Sequence, residues 1–96
     1  MTLLRTDVDD GWPLCACGMP LNPKNVRLER AGSSILFLCG NVSCHLGKIA
    51  RWDGGFEVVR FLKGFNELLF GPDEGQHRIR RLERLLKSLC RLASQP

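Results

Sequence analysis

Ninety-six residues with two Trp, five Phe and no Tyr make a single small domain whose core needs help from a metal, disulfides or a partner chain. The net charge of +4 is unevenly placed: residues 1–75 hold eight Lys/Arg against nine Asp/Glu, while residues 76–96 hold six against Glu83 alone. Any attraction to phosphates therefore belongs at the C-terminal end. No apolar run is long enough to span a membrane, and Met1–Asp7 reaches charge before an apolar run forms, so the expectation is an intracellular protein without a secretory leader.

In chain order, residues 1–12 read as a loose lead-in, acidic at Asp7, Asp9 and Asp10. A β domain over 13–70 follows, opening on the thiol pair Cys15-Ala16-Cys17-Gly18. Pro20 and Pro23 keep the next segment out of helix. Val26–Arg30 alternates apolar and polar residues and predicts a strand, Ala31-Gly32-Ser33 a turn, and Ser34–Cys39 a second strand that delivers a third thiol. Cys39-Gly40-Asn41-Val42-Ser43-Cys44 forms a second thiol pair. Lys48–Trp52 predicts a third strand, Asp53-Gly54-Gly55 a hairpin turn, and Phe56–Arg60 a fourth strand. From Phe61 to Leu69 the apolar spacing suits a short helix, although Gly64 weakens it, and Gly71-Pro72 ends the segment in either case.

Residues 73–94 predict an amphipathic helix. Ile79, Leu82, Leu86, Leu89 and Ala93 recur at spacings of 3, 4, 3 and 4, the a/d pattern of a heptad repeat, and Leu85 widens the stripe. Arg80, Arg81, Arg84, Lys87 and Arg91 fall on the opposite positions. The stripe is too short to stand alone in water. It either packs on the chain's own 56–70 segment or forms an interface with a second copy or a partner protein through Ile79, Leu82, Leu85, Leu86 and Leu89. Cys90, beside the stripe, reads as a buried unreactive thiol or as a link between two chains.

The two thiol pairs are the strongest chemical signal. Four cysteines on two tight turns, 21 residues apart and joined by a hairpin, are laid out for a structural Zn²⁺ held by Cys15, Cys17, Cys39 and Cys44. Disulfides suit them less: cysteines two apart chelate one ion more readily than they bond each other, and five is an odd count. His45 is an alternative ligand to its neighbour Cys44. The expected fold class is α+β, a small antiparallel zinc-ribbon-like sheet with a C-terminal amphipathic helix.

The order C-x-C-G, hairpin, aromatic-bearing strand into Cys39, Cys44 and then Trp52 resembles the GRF-type zinc finger over residues 13–53. That resemblance implies a metal-held antiparallel sheet and, as in some members of the family, single-stranded nucleic-acid binding. The arginine that the family carries before the third ligand is missing here, where the chain reads Ala31-Gly32-Ser33-Ser34-Ile35-Leu36-Phe37. The layout of a cysteine-rich module followed by a basic helix is also similar to small cysteine-rich proteins of plant RNA viruses, some of which bind RNA.

The expected function is that of a small nucleic-acid-binding or regulatory module. Arg27, Arg30, Lys48, Arg51 and Trp52 on or near the sheet and Arg80, Arg81, Arg84, Lys87 and Arg91 on the helix are the candidate contacts to single-stranded nucleic acid or RNA. Trp52 stacks on a base or packs near the metal, and the cations meet phosphates or simply face water. The rival expectation is an adaptor that dimerises or binds a partner through the heptad helix without touching nucleic acid. An enzyme, a membrane protein or a small-molecule binder is not expected: four thiolates close the coordination sphere, and neither His45 nor His77 has an evident carboxylate partner.

Overall fold

The computed structural model of the chain describes residues 10–44, 48–53, 56–58 and 60–93, with the side chains of 56–58 left aside. Four strands, β1 (Val26–Ala31), β2 (Ser34–Cys39), β3 (Lys48–Trp52) and β4 (Phe56–Val58), form an antiparallel meander in chain order. Two helices follow, α1 (Arg60–Phe70) and α2 (Pro72–Ala93). The α+β class expected from the sequence is what the chain adopts. His45, the Gly54-Gly55 turn, Val59 and residues 1–9 lie outside the described residues.

The β1–β2 hairpin follows from local chemistry. Ala31 pairs with Ser34 across a two-residue turn in which Gly32 takes φ +66° and no other residue type has positive φ. A positive φ at the first turn position alone is the type II′ pattern, whose twist matches that of the strands. Strand β2 alternates cleanly: Ile35, Phe37 and Cys39 are buried, while Ser34, Leu36 and Leu38 are half-buried. β1 is an exposed edge along nearly its whole length.

Segment 60–70 is a helix because Leu62 and Asn66, one turn apart, both face the interior and are fully buried. Gly64 is tolerated on its exposed side. The fourth strand is shorter than the expected Phe56–Arg60, since Arg60 already begins α1. Gly71, at φ +90°, ends α1, and its amide bonds the Glu67 carbonyl at 2.9 Å. Pro72 then occupies the first helical position of α2, with Asp73 and Glu74 in its first turn, where the helix dipole favours negative charge.

A single apolar cluster joins sheet and helices: Cys15 and Leu21; Ile35, Phe37 and Cys39 of β2; Ile49 and Ala50 of β3; Leu62 of α1; and Ile79, Leu82, Leu86 and Cys90 of α2. Leu85 and Leu89 pack against it half-buried. The heptad stripe is thus spent within the chain. This corrects the reading of Ile79, Leu82 and Leu86 as an interface with a second chain, since the core of a small domain claims them first, each fully buried Leu or Ile contributing about 1.5–3 kcal/mol; Leu85 and Leu89 of the same expected interface keep part of their surface. Exposed large apolar side chains among the described residues lie elsewhere: Leu28 on β1, Val42 in the second thiol turn, Phe61, Leu68 and Leu69 on α1, and Leu92 near the end of α2.

Candidate metal centre

The first thiol pair sits on a tight hairpin. Leu14 bridges Pro20, the Cys15 amide bonds the Met19 carbonyl at 2.9 Å, the Leu21 amide bonds the Pro13 carbonyl at 2.9 Å, and the Gly18 amide bonds the Cys15 carbonyl at 2.7 Å. Gly18 takes φ +93°, which a side chain would disfavour. The second pair begins at the end of β2. There the Gly40 amide meets the Asn25 carbonyl at 2.6 Å, and a Cβ on residue 40 would stand 2.6 Å from that same oxygen. The Cys44 amide closes the turn on the Asn41 carbonyl at 2.9 Å.

These two turns bring the four sulfurs to one point. All four Sγ atoms lie within 4.8 Å of one another, with Cys15–Cys44 at 3.4 Å and Cys17–Cys39 at 3.6 Å. Four thiolates around an ion at ~2.3 Å stand about 3.8 Å apart in a tetrahedron. The group fits a metal ion of that size. Backbone donors face the sulfurs: the Asn41 amide points at the Cys39 sulfur at 3.4 Å, and amides of Cys17 and Met19 serve Cys15 and Cys17. Such donors orient first-sphere ligands and stabilise their charge.

The thiols differ in how readily they ionise. Burial pushes Cys15 far above the ordinary thiol range, against the pull of the Cys17 amide. Burial likewise raises Cys39, opposed by the Asn41 amide. At Cys17 burial is the largest single influence and raises the pKa, but the Met19 amide, the Asn41 side chain and the neighbouring thiols together outweigh it and bring it down to about 7. Metal binding to this set must therefore expel protons, including those held most tightly at buried Cys15 and Cys39.

A residue outside any motif braces the site. Asn66 of α1 accepts from the Leu14 amide at 2.8 Å and donates to the Leu14 carbonyl at 2.9 Å and the Leu62 carbonyl at 2.8 Å. Its amide pairs with the backbone beside Cys15 as a neighbouring strand would. The available signal was a polar residue one turn from Leu62 on the inward face, where a buried amide needs partners.

The expected nucleic-acid contacts divide into two groups. Arg80, Arg84, Lys87 and Arg91 are exposed on α2, Arg80 also bonding Gln76 Oε1 at 3.1 Å. Lys48, Arg27, Arg30 and Arg51 are exposed on the sheet; Arg27 reaches the Cys39 carbonyl at 3.2 Å, Arg30 donates to the Ala93 carbonyl, and Arg51 pairs with Asp53 at 3.8 Å. Trp52 is half-buried against the core. Arg81, also on α2, is tied to the N-terminal segment: its guanidinium lies over the Trp12 ring at 3.9 Å and donates to the Asp10 carbonyl. Its reading as part of a free basic face is corrected accordingly, because cation–π attraction fixes it to the N-terminal segment.

Arg78, one of the six C-terminal cations, is buried. It pairs with Glu74 at 2.8 Å, donates to the Trp12 carbonyl at 3.0 Å and covers the Phe70 ring at 3.8 Å. No helix among the described residues is long and apolar enough to cross a membrane. No protein-family model, no curated protein and no solved structure matches the chain.

Proposed function

We propose that the chain is a zinc-held module that binds single-stranded nucleic acid, RNA or DNA, along the exposed face of α2. The observation that carries this reading is a single-sign stripe: Arg80, Arg84, Lys87 and Arg91 are all exposed and recur at spacings of 4, 3 and 4. On a helix those spacings make one line of cations about 16 Å long, set away from the buried Ile79–Leu82–Leu86–Cys90 face. Thiolate ligands favour zinc, and four of them leave no coordination position for a substrate, so the metal's part is structural and the chain is not an enzyme. The likeness to GRF-type fingers, some of which bind single strands, points the same way.

Each phosphate neutralised on a single strand contributes about −0.7 to the slope of log affinity against log salt. Four contacts give a slope near −3. Oligonucleotide binding measured across a salt series should show that slope in the wild type, with a loss of about 1.4 in the double variant Arg84→Gln/Arg91→Gln. Arg81→Gln should leave it unchanged. Absence of binding at low salt, or an unaltered slope in the double variant, would sink the proposal.

A second reading is supported by α1, where Phe61 is 59% exposed, Leu68 83% and Leu69 48%. With Phe65, whose ring stacks on Phe61 at 6.4 Å, they share one face of α1. A partner protein or a second copy would meet this face rather than the buried seam of α2. A complex that survives high salt and is lost in Leu68→Asp would favour it.

A further inference from the structure

The side of α2 next to the cation stripe borders a groove of about 430 Å³ lined by Trp52, Lys87, Cys90 and Arg91. We propose that this groove seats one unstacked nucleobase of the bound strand against Trp52, with the adjoining phosphates on Lys87 and Arg91. The proposal rests on the nucleic-acid reading above and names the part of the ligand that gives it single-strand selectivity.

Each wall has the chemistry that this occupant needs. Trp52 closes β3, packs against the core and also lines the groove, so its indole is held in place while contributing surface to the cavity. An anchored aromatic ring is a sequence-tolerant stacking platform for a base. Cys90, 5% exposed, adds a small apolar wall from the inward face of α2. Lys87 and Arg91 lie one helical turn apart and are exposed, which places two cations beside the aromatic surface.

The volume falls in the range of small-ligand sites, roughly 300–1,000 Å³. The carbonyl end of α2 would repel a phosphate, but the Arg30 guanidinium donates to the Ala93 carbonyl and offsets that charge. The carboxylate next to Trp52, Asp53, is paired with Arg51. A base stacked within a duplex cannot enter such a groove, whereas an unpaired one can. The cations would meet phosphates of either form.

The test uses the full chain with its metal bound. In a Trp12→Phe background Trp52 is the only emitter, and its fluorescence is followed during titration with a single-stranded oligouridylate, a duplex of equal length, and polyglutamate. We expect the single strand alone to quench Trp52, and Trp52→Ala to lose on the order of tenfold in single-strand affinity with the salt slope retained. Trp52→Phe should keep most of that affinity. As a readout independent of any substitution at 52, an oligonucleotide carrying 5-iodouridine should photo-crosslink to Trp52.

Unchanged Trp52 emission at saturating single strand, or crosslinks confined to Phe61, Phe65 or Trp12, would overturn the groove while leaving the phosphate stripe standing. Equal quenching by polyglutamate would overturn the base in favour of an acidic peptide. If no oligonucleotide binds at low salt, the parent reading fails and this one with it.

Discussion

Asn66 shows how much one side chain can carry in a chain this small. Two of its three hydrogen bonds span 52 residues of sequence and reach the backbone next to Cys15; the third stays within α1 at Leu62. Asn66→Ala leaves the Leu14 N–H and C=O without their partner in a buried setting, at about 1–3 kcal/mol for each group left unsatisfied. Urea denaturation of the metal-bound protein should show that loss, and chelator competition should show weaker metal retention, because Cys15 is then less firmly placed. The four thiols could be read from spacing alone, since both pairs lie on turns a few residues long. The brace could not, because nothing near Asn66 in sequence names Leu14 as its partner.

At the scale of elements, two glycines in helices have opposite duties. Gly64 is exposed in α1, and an added Cβ would meet nothing within 4 Å. Gly64→Ala should stabilise by about 0.5–1 kcal/mol through helix propensity and chain entropy. Gly75 lies where α2 crosses α1, and a Cβ there would stand 2.5 Å from the Glu67 Cα and 2.6 Å from the Asn66 carbonyl oxygen. Gly75→Ala should destabilise by about 1–3 kcal/mol by prising the helices apart. Thermal melts of the two variants should move in opposite directions. Strand positions and the helix after Gly71-Pro72 were legible because period and turn chemistry are local. The close helix crossing was not, and neither were the ties of Arg78 and Arg81 to Trp12 and Asp10, which bridge 66 and 71 residues.

For the whole molecule, metal and protons compete. Burial raises Cys15 and Cys39, so the metal-free fold keeps their protons to higher pH than the unfolded chain does. Their contribution is then intact below the unfolded thiol pKa of about 8.5 and is lost as pH rises above it. With metal bound the sign inverts: the thiolates are ligands, and stability falls on acidification as protons displace the ion. Cys17, brought down to about 7, works the other way between about pH 7 and pH 8.5. Thermal denaturation should show the metal-free protein losing stability above about pH 8.5 and the metal-bound protein losing it as pH falls towards about 5. Because Cys15 and Cys39 also belong to the apolar cluster, Cys39→Ser should cost both metal and core packing.

The N-terminal segment, held through Trp12, Asp10 and Leu14, bears on the order of synthesis. The residues that secure it, Asn66, Arg78 and Arg81, are made 52 to 71 positions later, whereas both thiol pairs are complete by Cys44. A nascent chain can gather its ion around the β1–β2 hairpin long before its first turn has anything to lean on. Long-range closures of this kind slow folding. With an ion taken up at that stage, the helices would act late, as a clasp over a sheet already drawn together.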